Sequence, residues 1–353
     1  MKSRSSSLSG LAALTALLAV GVCAETSAQS VTTVPVGAVT VTIAAGTGTT
    51  RVVTPVSFPL VDSPSGTGQL KGQVTGFTAS TITNSNAGWA DAQFSNAAIP
   101  YLIRITSGAA SGRTFLISTS TASTATTVTV DSEEAGLVDI TTTGLIAGDT
   151  YSIIPCDTIS SLFGTPATTG VLGASSAANA DIVYMMVSGG WLQYYYSTGA
   201  TPGWKRVGLN TASDNKPIRP DSLILYSRIG SAAMNLILTG EVPPLDRKQI
   251  LKRSGVTPMA NPWPAGVTTL SSSGIADSSG WVKNASYTQA DIVLLMVSGG
   301  WLQYFHDGTH WRRLGLNTIS DSVEIPSGAG IIINKRGSAS SSVDVASVAP
   351  YTF

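Results

Sequence analysis

Residues 180–196, ADIVYMMVSGGWLQYYY, recur at 290–306 as ADIVLLMVSGGWLQYFH, with thirteen of seventeen positions identical. Composition alone does not generate agreement of that length, so the chain carries a duplicated unit, and whatever the unit folds into must be built twice. The match continues from GWKRVGLN at 203–210 to HWRRLGLN at 310–317, from Asp214 to Asp321, and from Ile218–Gly230 to Ile325–Gly337. Upstream, Pro155–Leu162 aligns loosely with Pro262–Leu270. Each copy spans roughly a hundred residues, an ordinary domain size.

Inside each copy the pattern is one of strands. An Asp-Ile-Val segment leads into a Ser-Gly-Gly bend and then the aromatic strand Trp-Leu-Gln-Tyr. Asp307-Gly308 is a tight-turn signal between Phe305-His306 and Trp311–Leu314, and Ser197–Gly203 is a longer loop at the same place in the first copy. Leu223–Leu225 and Ile331–Ile333 are short apolar runs suited to central strands. Earlier in the chain, Val39, Val41 and Ile43 alternate with threonines, and further strands are expected at 101–106, 113–118, 126–131 and 150–154. Ser107–Gly112 and Ala147–Asp149 supply the turns. With charged residues at only 11% and 36 glycines, long solvated helices are disfavoured. The expected fold is all-β: an N-terminal β-sandwich or barrel-like domain at 29–149, then two tandem related β-sandwich modules at 150–248 and 249–353.

Residues 1–28 read as a secretory signal peptide. Lys2 and Arg4 precede an apolar run from Leu11 to Val22, and cleavage is expected after Ala28, with Ala24 as the other possibility. Lipidation at Cys23 is the alternative, disfavoured by Val22 immediately before it. Without this segment 18 basic residues face 19 acidic ones, which leaves no electrostatic footprint for nucleic acid or anionic lipid. Cys156 is then the one remaining cysteine, so no intramolecular disulfide can form, and it reads as a small buried apolar residue.

The Asn261-Pro262-Trp263-Pro264 segment, the Asp-Ile-Val and Gly-Trp-Leu-Gln-Tyr strands and the Ile325–Gly328 turn resemble an uncharacterised family of exported proteins from verrucomicrobial bacteria. The Thr33–Gly37 and Ser107–Phe115 stretches fit the same resemblance, while the first copy departs from it at Pro155-Cys156. The resemblance implies secretion and a β-rich fold, and it implies no activity.

Catalytic chemistry is thinly represented, so a non-enzyme without cofactor or metal is the expectation. His306 and His310 flank the Asp307-Gly308 turn, but the first copy has Tyr196 and Gly203 in their places. A metal reading is therefore weaker than that of solvated turn residues. There is no Gly-x-Ser-x-Gly elbow for a hydrolase. Asp181 and Asp291 occupy the same position in both copies; satisfying backbone amides at a strand start is the favoured role over binding calcium or a sugar hydroxyl. Asp131, Glu133 and Glu134 form the one acidic cluster and read as a solvated turn rather than a calcium loop.

The aromatic stripe is the best functional lead. Trp191, Gln193 and Tyr195 share one strand face, repeated by Trp301, Gln303 and Phe305, and Leu192, Tyr194 and Tyr196 share the other. Trp204 and Trp311 follow across the turn and could pair with the stripe. If exposed, Trp191, Tyr195, Trp204, Trp301, Phe305 and Trp311 could stack on sugars or anchor a protein; the plainer reading buries them as core. The leading expectation is an exported structural or adhesive protein of the cell envelope or extracellular surface, located in the periplasm, on the outer membrane or outside the cell. Its partners would be envelope or extracellular polysaccharide or other surface proteins. Glycan binding through the stripe is one alternative. An outer-membrane barrel is another, prompted by Val343, Val345, Ala349, Tyr351 and Phe353 on one face of the last strand but opposed by Pro350.

Overall fold

The computed structural model describes residues 35–60, 70–131, 139–187, 190–243, 245–252, 254–297, 300–336 and 343–351. The expected signal peptide, Glu133, Glu134 and Phe353 lie outside the described residues, as do the side chains of Val343 and Asp344. Val34–Phe353 forms one compact unit.

The chain is all-β; among the described residues there is one α-helix, of five residues, besides short 3-10 turns. Its strands are β1 (Val36–Ile43), β2 (Val52–Val56), β3 (Leu70–Gln73), β4 (Gly76–Phe77), β5 (Thr81–Thr83), β6 (Tyr101–Ile105), β7 (Thr114–Leu116), β8 (Thr127–Thr129) and β9 (Thr150–Pro155). Helix α1 (Ile159–Phe163) follows. Then come β10 (Ile182–Val187), β11 (Gly190–Ser197), β12 (Gly203–Arg206), β13 (Ile224–Arg228), β14 (Met234–Glu241), β15 (Arg247–Leu251), β16 (Gly255–Ala260), β17 (Ile292–Val297), β18 (Gly300–His306), β19 (Trp311–Arg313), β20 (Gly330–Lys335) and β21 (Val343–Ser347).

Two five-stranded antiparallel sheets have the same plan. One runs β12-β11-β10-β13-β2 and the other β19-β18-β17-β20-β16. Their registers correspond pair by pair: Tyr184 lies opposite Gln193 and Leu225 as Leu294 lies opposite Gln303 and Ile332, and Pro55 meets Leu225 as Pro258 meets Ile332. Each sheet packs one face against a two-stranded ribbon, β1-β14 or β15-β21. The alternation along β1 and β14 explains this: Val41, Ile43, Leu236 and Leu238 point into the same core as Val183, Tyr194, Trp204 and Tyr226, and the residues between them, Thr42 on β1 and Ile237 on β14, point out.

The linear division at 149 and 248 does not follow the sheets. Strands β1 and β2 pair with β14 and β13, not with the strands that come next in sequence. Val53-Thr54-Pro55 in β2 matches Val256-Thr257-Pro258 in β16, an echo of the duplication too short to stand out in sequence. Between Pro59 and Cys156 lie β3–β9, which form a four-stranded sheet, β3-β9-β6-β7, and a three-stranded sheet, β4-β5-β8, around a core of their own built on Ile82, Phe94, Ile103, Phe115, Val128 and Tyr151. The sheet β12-β11-β10-β13-β2 thus takes its last strand from before the β3–β9 region.

The upstream alignment also shifts. Thr158 and Ser161 exchange amide-to-hydroxyl hydrogen bonds that cap α1, and Thr269 and Ser272 exchange the same pair, so Ile159, rather than Leu162, corresponds to Leu270. Among the described residues no sheet closes into a barrel. The C-terminal strand expected for one is β21, which among the described residues pairs with β15 alone and buries Val345 in the second core.

Candidate functional site

Pleat geometry sends successive side chains of β11 and β18 to opposite faces. Leu192, Tyr194 and Tyr196 face the first core, and Leu302 and Tyr304 face the second. The other face of each sheet points away from its core. On it Trp191 stands opposite Met186 and Trp301 opposite Met296, all four half-buried, and Gln193 and Gln303 are exposed beside them. Tyr184 and Leu225 extend the first face, and Leu294 extends the second.

The six sequence candidates therefore divide. Trp191 and Trp301 lie on the outward faces. Trp204 and Trp311 are 0% and 1% exposed, which corrects their reading as ligand contacts. The Trp204 indole N–H donates to the Gly164 carbonyl at 2.8 Å, and its ring meets Tyr196 edge-on at 5.9 Å. Trp311 packs against Trp281 and the His306 ring. Tyr195 and Phe305 share the outward strand face but are covered at its far end, Tyr195 by Ala180 and Ile182 and Phe305 by Ala290 and Ile292. They are core, because the strand segments entering β10 and β17 fold back over them.

Those entering segments are held by buried carboxylates. Asp181, fully buried, accepts the backbone N–H groups of Leu172 and Ile229, pairs with Arg228 at 2.8 Å and accepts the Tyr226 hydroxyl. Asp291 repeats this with Val282, Arg336 and Lys335, the last at 2.9 Å. Burial, and then the charge of Asp181, pushes the Tyr226 phenol well above its usual range, so it remains a donor. A carboxylate with this set of partners is a structural staple and has no lone pair directed at solvent. Neither Arg228 nor Lys335 was singled out in the sequence; the signal was a cation just before the Gly230 and Gly337 ends of the matched segments.

The histidine turn is built from its own side chains. Asp307 accepts the Thr309 and His310 amides, which with Arg312 hold its carboxyl below the usual range, led by the His310 amide. His306 Nδ1 accepts the Gly308 amide, and His310 Nδ1 lies 2.6 Å from Asp321. Asp321 also accepts the Trp311 amide at 2.7 Å, as Asp214 accepts that of Trp204. Among the described residues no three His, Cys, Asp or Glu side chains converge to hold a metal ion. Cys156 is buried against Leu102, Leu116 and Ile154.

No family model, curated protein or solved structure matches the chain. Each of the two outward faces carries a half-buried Trp-Met pair beside an exposed Gln. An indole half open to water offers an apolar plate, and the neighbouring amide offers one donor pair and one acceptor. That combination is suited chemically to stacking and hydrogen bonding.

Proposed function

We propose that the chain is an exported, non-catalytic structural or adhesive protein of the cell envelope or extracellular surface, and that it engages its partner through two equivalent sheet faces presented by a duplicated module. The observation that carries this reading is the repetition of an outward Trp-Met-Gln arrangement, Trp191-Met186-Gln193 and Trp301-Met296-Gln303, on sheets with the same strand order and register. Two copies of one contact face on one chain convert a weak individual contact into avidity for a repetitive partner, such as a polysaccharide or an array of surface proteins. Export rests on the basic start, the apolar run and the resemblance to exported verrucomicrobial proteins.

The chemistry of the face favours polysaccharide as the partner, because a flat indole beside an amide suits the apolar face and hydroxyls of a pyranose. The test is retention of the purified chain on insoluble cellulose, chitin and peptidoglycan. Retention on one of them that falls at least tenfold in a W191A/W301A double variant with an unchanged melting temperature supports glycan contact through these faces. Retention unaffected by the double substitution removes the faces from the function. Export is tested separately by fractionating cells that express the full chain: a cytoplasmic pool of full-length protein would overturn it.

A further inference from the structure

The β3–β9 region is inserted between β2 and the other strands of the first sheet, and where it meets the loop after β12 the two leave a cleft of about 390 Å³. Both walls are pinned by backbone hydrogen bonds. On one side the Pro100 carbonyl accepts the Cys156 amide at 2.8 Å, and the Leu116 carbonyl accepts the Asp131 amide at 2.8 Å. On the other, Ser213 donates to the Trp204 carbonyl at 2.8 Å, and Ser160 and Ile159 of α1 donate to the Asp214 and Lys216 carbonyls at 3.0 Å. A cleft held this way is formed before a ligand arrives, and its volume falls in the range of about 300–1,000 Å³ typical of small-molecule sites.

The duplication supplies an internal comparison. In the second copy β16 leads directly to the turn at Thr269, with no strands inserted, so the matching loop at 319–324 faces no such wall. The side chains differ as well. Asp321 accepts the Trp311 amide on Oδ1 and holds His310 on Oδ2 at 2.6 Å. Asp214 accepts the Trp204 amide on Oδ1 at 3.0 Å, but Gly203 stands in the place of His310, and Oδ2 accepts no hydrogen bond among the described residues. Asn215, exposed where the second copy has Ser322, likewise has a side-chain amide with no partner among the described residues. Pro100, Leu116 and Pro217 supply apolar lining, and the charges of the cleft are two carboxylates, Asp131 and Asp214, against one ammonium, Lys216.

We propose that this cleft binds the acetamido group of a neutral N-acetylhexosamine unit, so that the partner is a polymer of such sugars; the inference rests on the reading of that partner as a polysaccharide. An acetamido group presents one N–H, one carbonyl and one methyl. The N–H is matched by the unclaimed Asp214 Oδ2, the carbonyl by the Asn215 side-chain N–H groups, and the methyl by the Pro100, Leu116 and Pro217 surface. In a sugar with a hydroxyl at that position one oxygen has to serve both polar groups, and the apolar wall stays bare. The excess of carboxylate in the lining disfavours uronic acids and other anionic sugars. The cleft is separate from the outward Trp-Met-Gln faces and adds selectivity among sugars to their stacking contact.

The test titrates the full chain calorimetrically with chitotriose, with cellotriose, which carries a hydroxyl in place of each acetamido group, and with tri-alanine, whose peptide groups share the acetamido chemistry. Chitotriose is expected to bind, and cellotriose and tri-alanine to bind more weakly by about tenfold or more. N215A, D214N and A212W, the last filling the cleft from an exposed position, are each expected to bring chitotriose down to the level of cellotriose. Should D214N or A212W fail to fold, N215A decides, since the Asn215 side chain holds nothing else in place. No binding of chitotriose, equal binding of the two trisaccharides, tighter binding of tri-alanine, or chitotriose binding unchanged by N215A would each overturn the proposal. Retention on chitin that is lost in W191A/W301A while N215A has no effect removes the cleft and leaves the sheet faces standing; loss in N215A alone removes the faces and keeps the cleft.

Discussion

Ser57 donates its backbone amide to the Gly328 carbonyl at 2.8 Å, and the relationship is mirrored elsewhere in the chain: Ala260, the counterpart of Ser57, donates to Asp221, the counterpart of Gly328, at 3.2 Å. The turn of each copy thus docks on the strands of the other, the reciprocal contact that a two-fold arrangement requires. The two arms differ chemically. Gly328 sits against Val39 and Val41, whereas Asp221 carries the charged contacts to Arg219 and the carbonyl that accepts from Gln249.

The apolar arm has no room for a side chain. Gly328 has φ +73°, and a Cβ there would lie 2.6 Å from Cγ2 of Val41. G328A is expected to destabilise by about 1–3 kcal/mol, read from urea unfolding with m unchanged. A loss under about 0.5 kcal/mol would show that the arm is looser than described.

The buried Asp291–Lys335 pair is expected to behave as a matched unit. K335M leaves an uncompensated buried carboxylate and should cost about 3–5 kcal/mol. The double variant D291N/K335M removes both charges but keeps an acceptor oxygen for only one of the Val282 and Arg336 amides, which donate to different carboxylate oxygens, so it should recover part of that loss and not all of it. Costs that simply add in chemical denaturation would rule out the coupling.

The aromatic residues should separate by position. W204A and W311A are each expected to cost about 3–5 kcal/mol, because they empty a packed core. W191A and W301A should each cost less than about 1.5 kcal/mol, because their rings are already half in water. Calorimetry of the four variants distinguishes core from contact face. Equal losses in all four would make the outward tryptophans structural.

His306 should make the chain sensitive to mild acid. Burial first, then Lys283, lowers its folded pKa, against the opposing pull of Asp307, Asp321 and Asp277. The unfolded ring takes up a proton near pH 6.5 while the folded ring resists. The unfolded state therefore binds more protons in that window, and stability falls as pH drops below about 6.5 toward the folded value. H306Y installs the residue that the first copy carries at Tyr196, which meets Trp204 edge-on as His306 meets Trp311. Melting curves between pH 7 and 5 are expected to be flatter for H306Y than for the unaltered chain.

Much of this fold was legible in the residues, for reasons that particular segments make plain. The alternation at Val39, Val41 and Ile43 became a half-buried strand, and Asp307-Gly308 became the turn between β18 and β19. The pairing of β1 with β14 was not legible, because it closes a loop that contains the whole inserted region. The three-residue Val-Thr-Pro match that marks β2 and β16 as counterparts is too short to distinguish from coincidence. The candidate site was half legible: Trp191 and Trp301 were placed on one strand face with Gln193 and Gln303, but Tyr195, Phe305, Trp204 and Trp311 were grouped with them although all four are core.

What the sequence determined by itself was the set of local facts: the duplication, the pleat that decides which side chains share a face, and the turns between neighbouring strands. Each depends on residues close together in the chain. What only the tertiary structure decided was which face is covered and which distant strands complete each sheet. A period of two assigns residues to faces without saying what packs against them, and burial and charge proximity arise only when segments far apart in sequence come together.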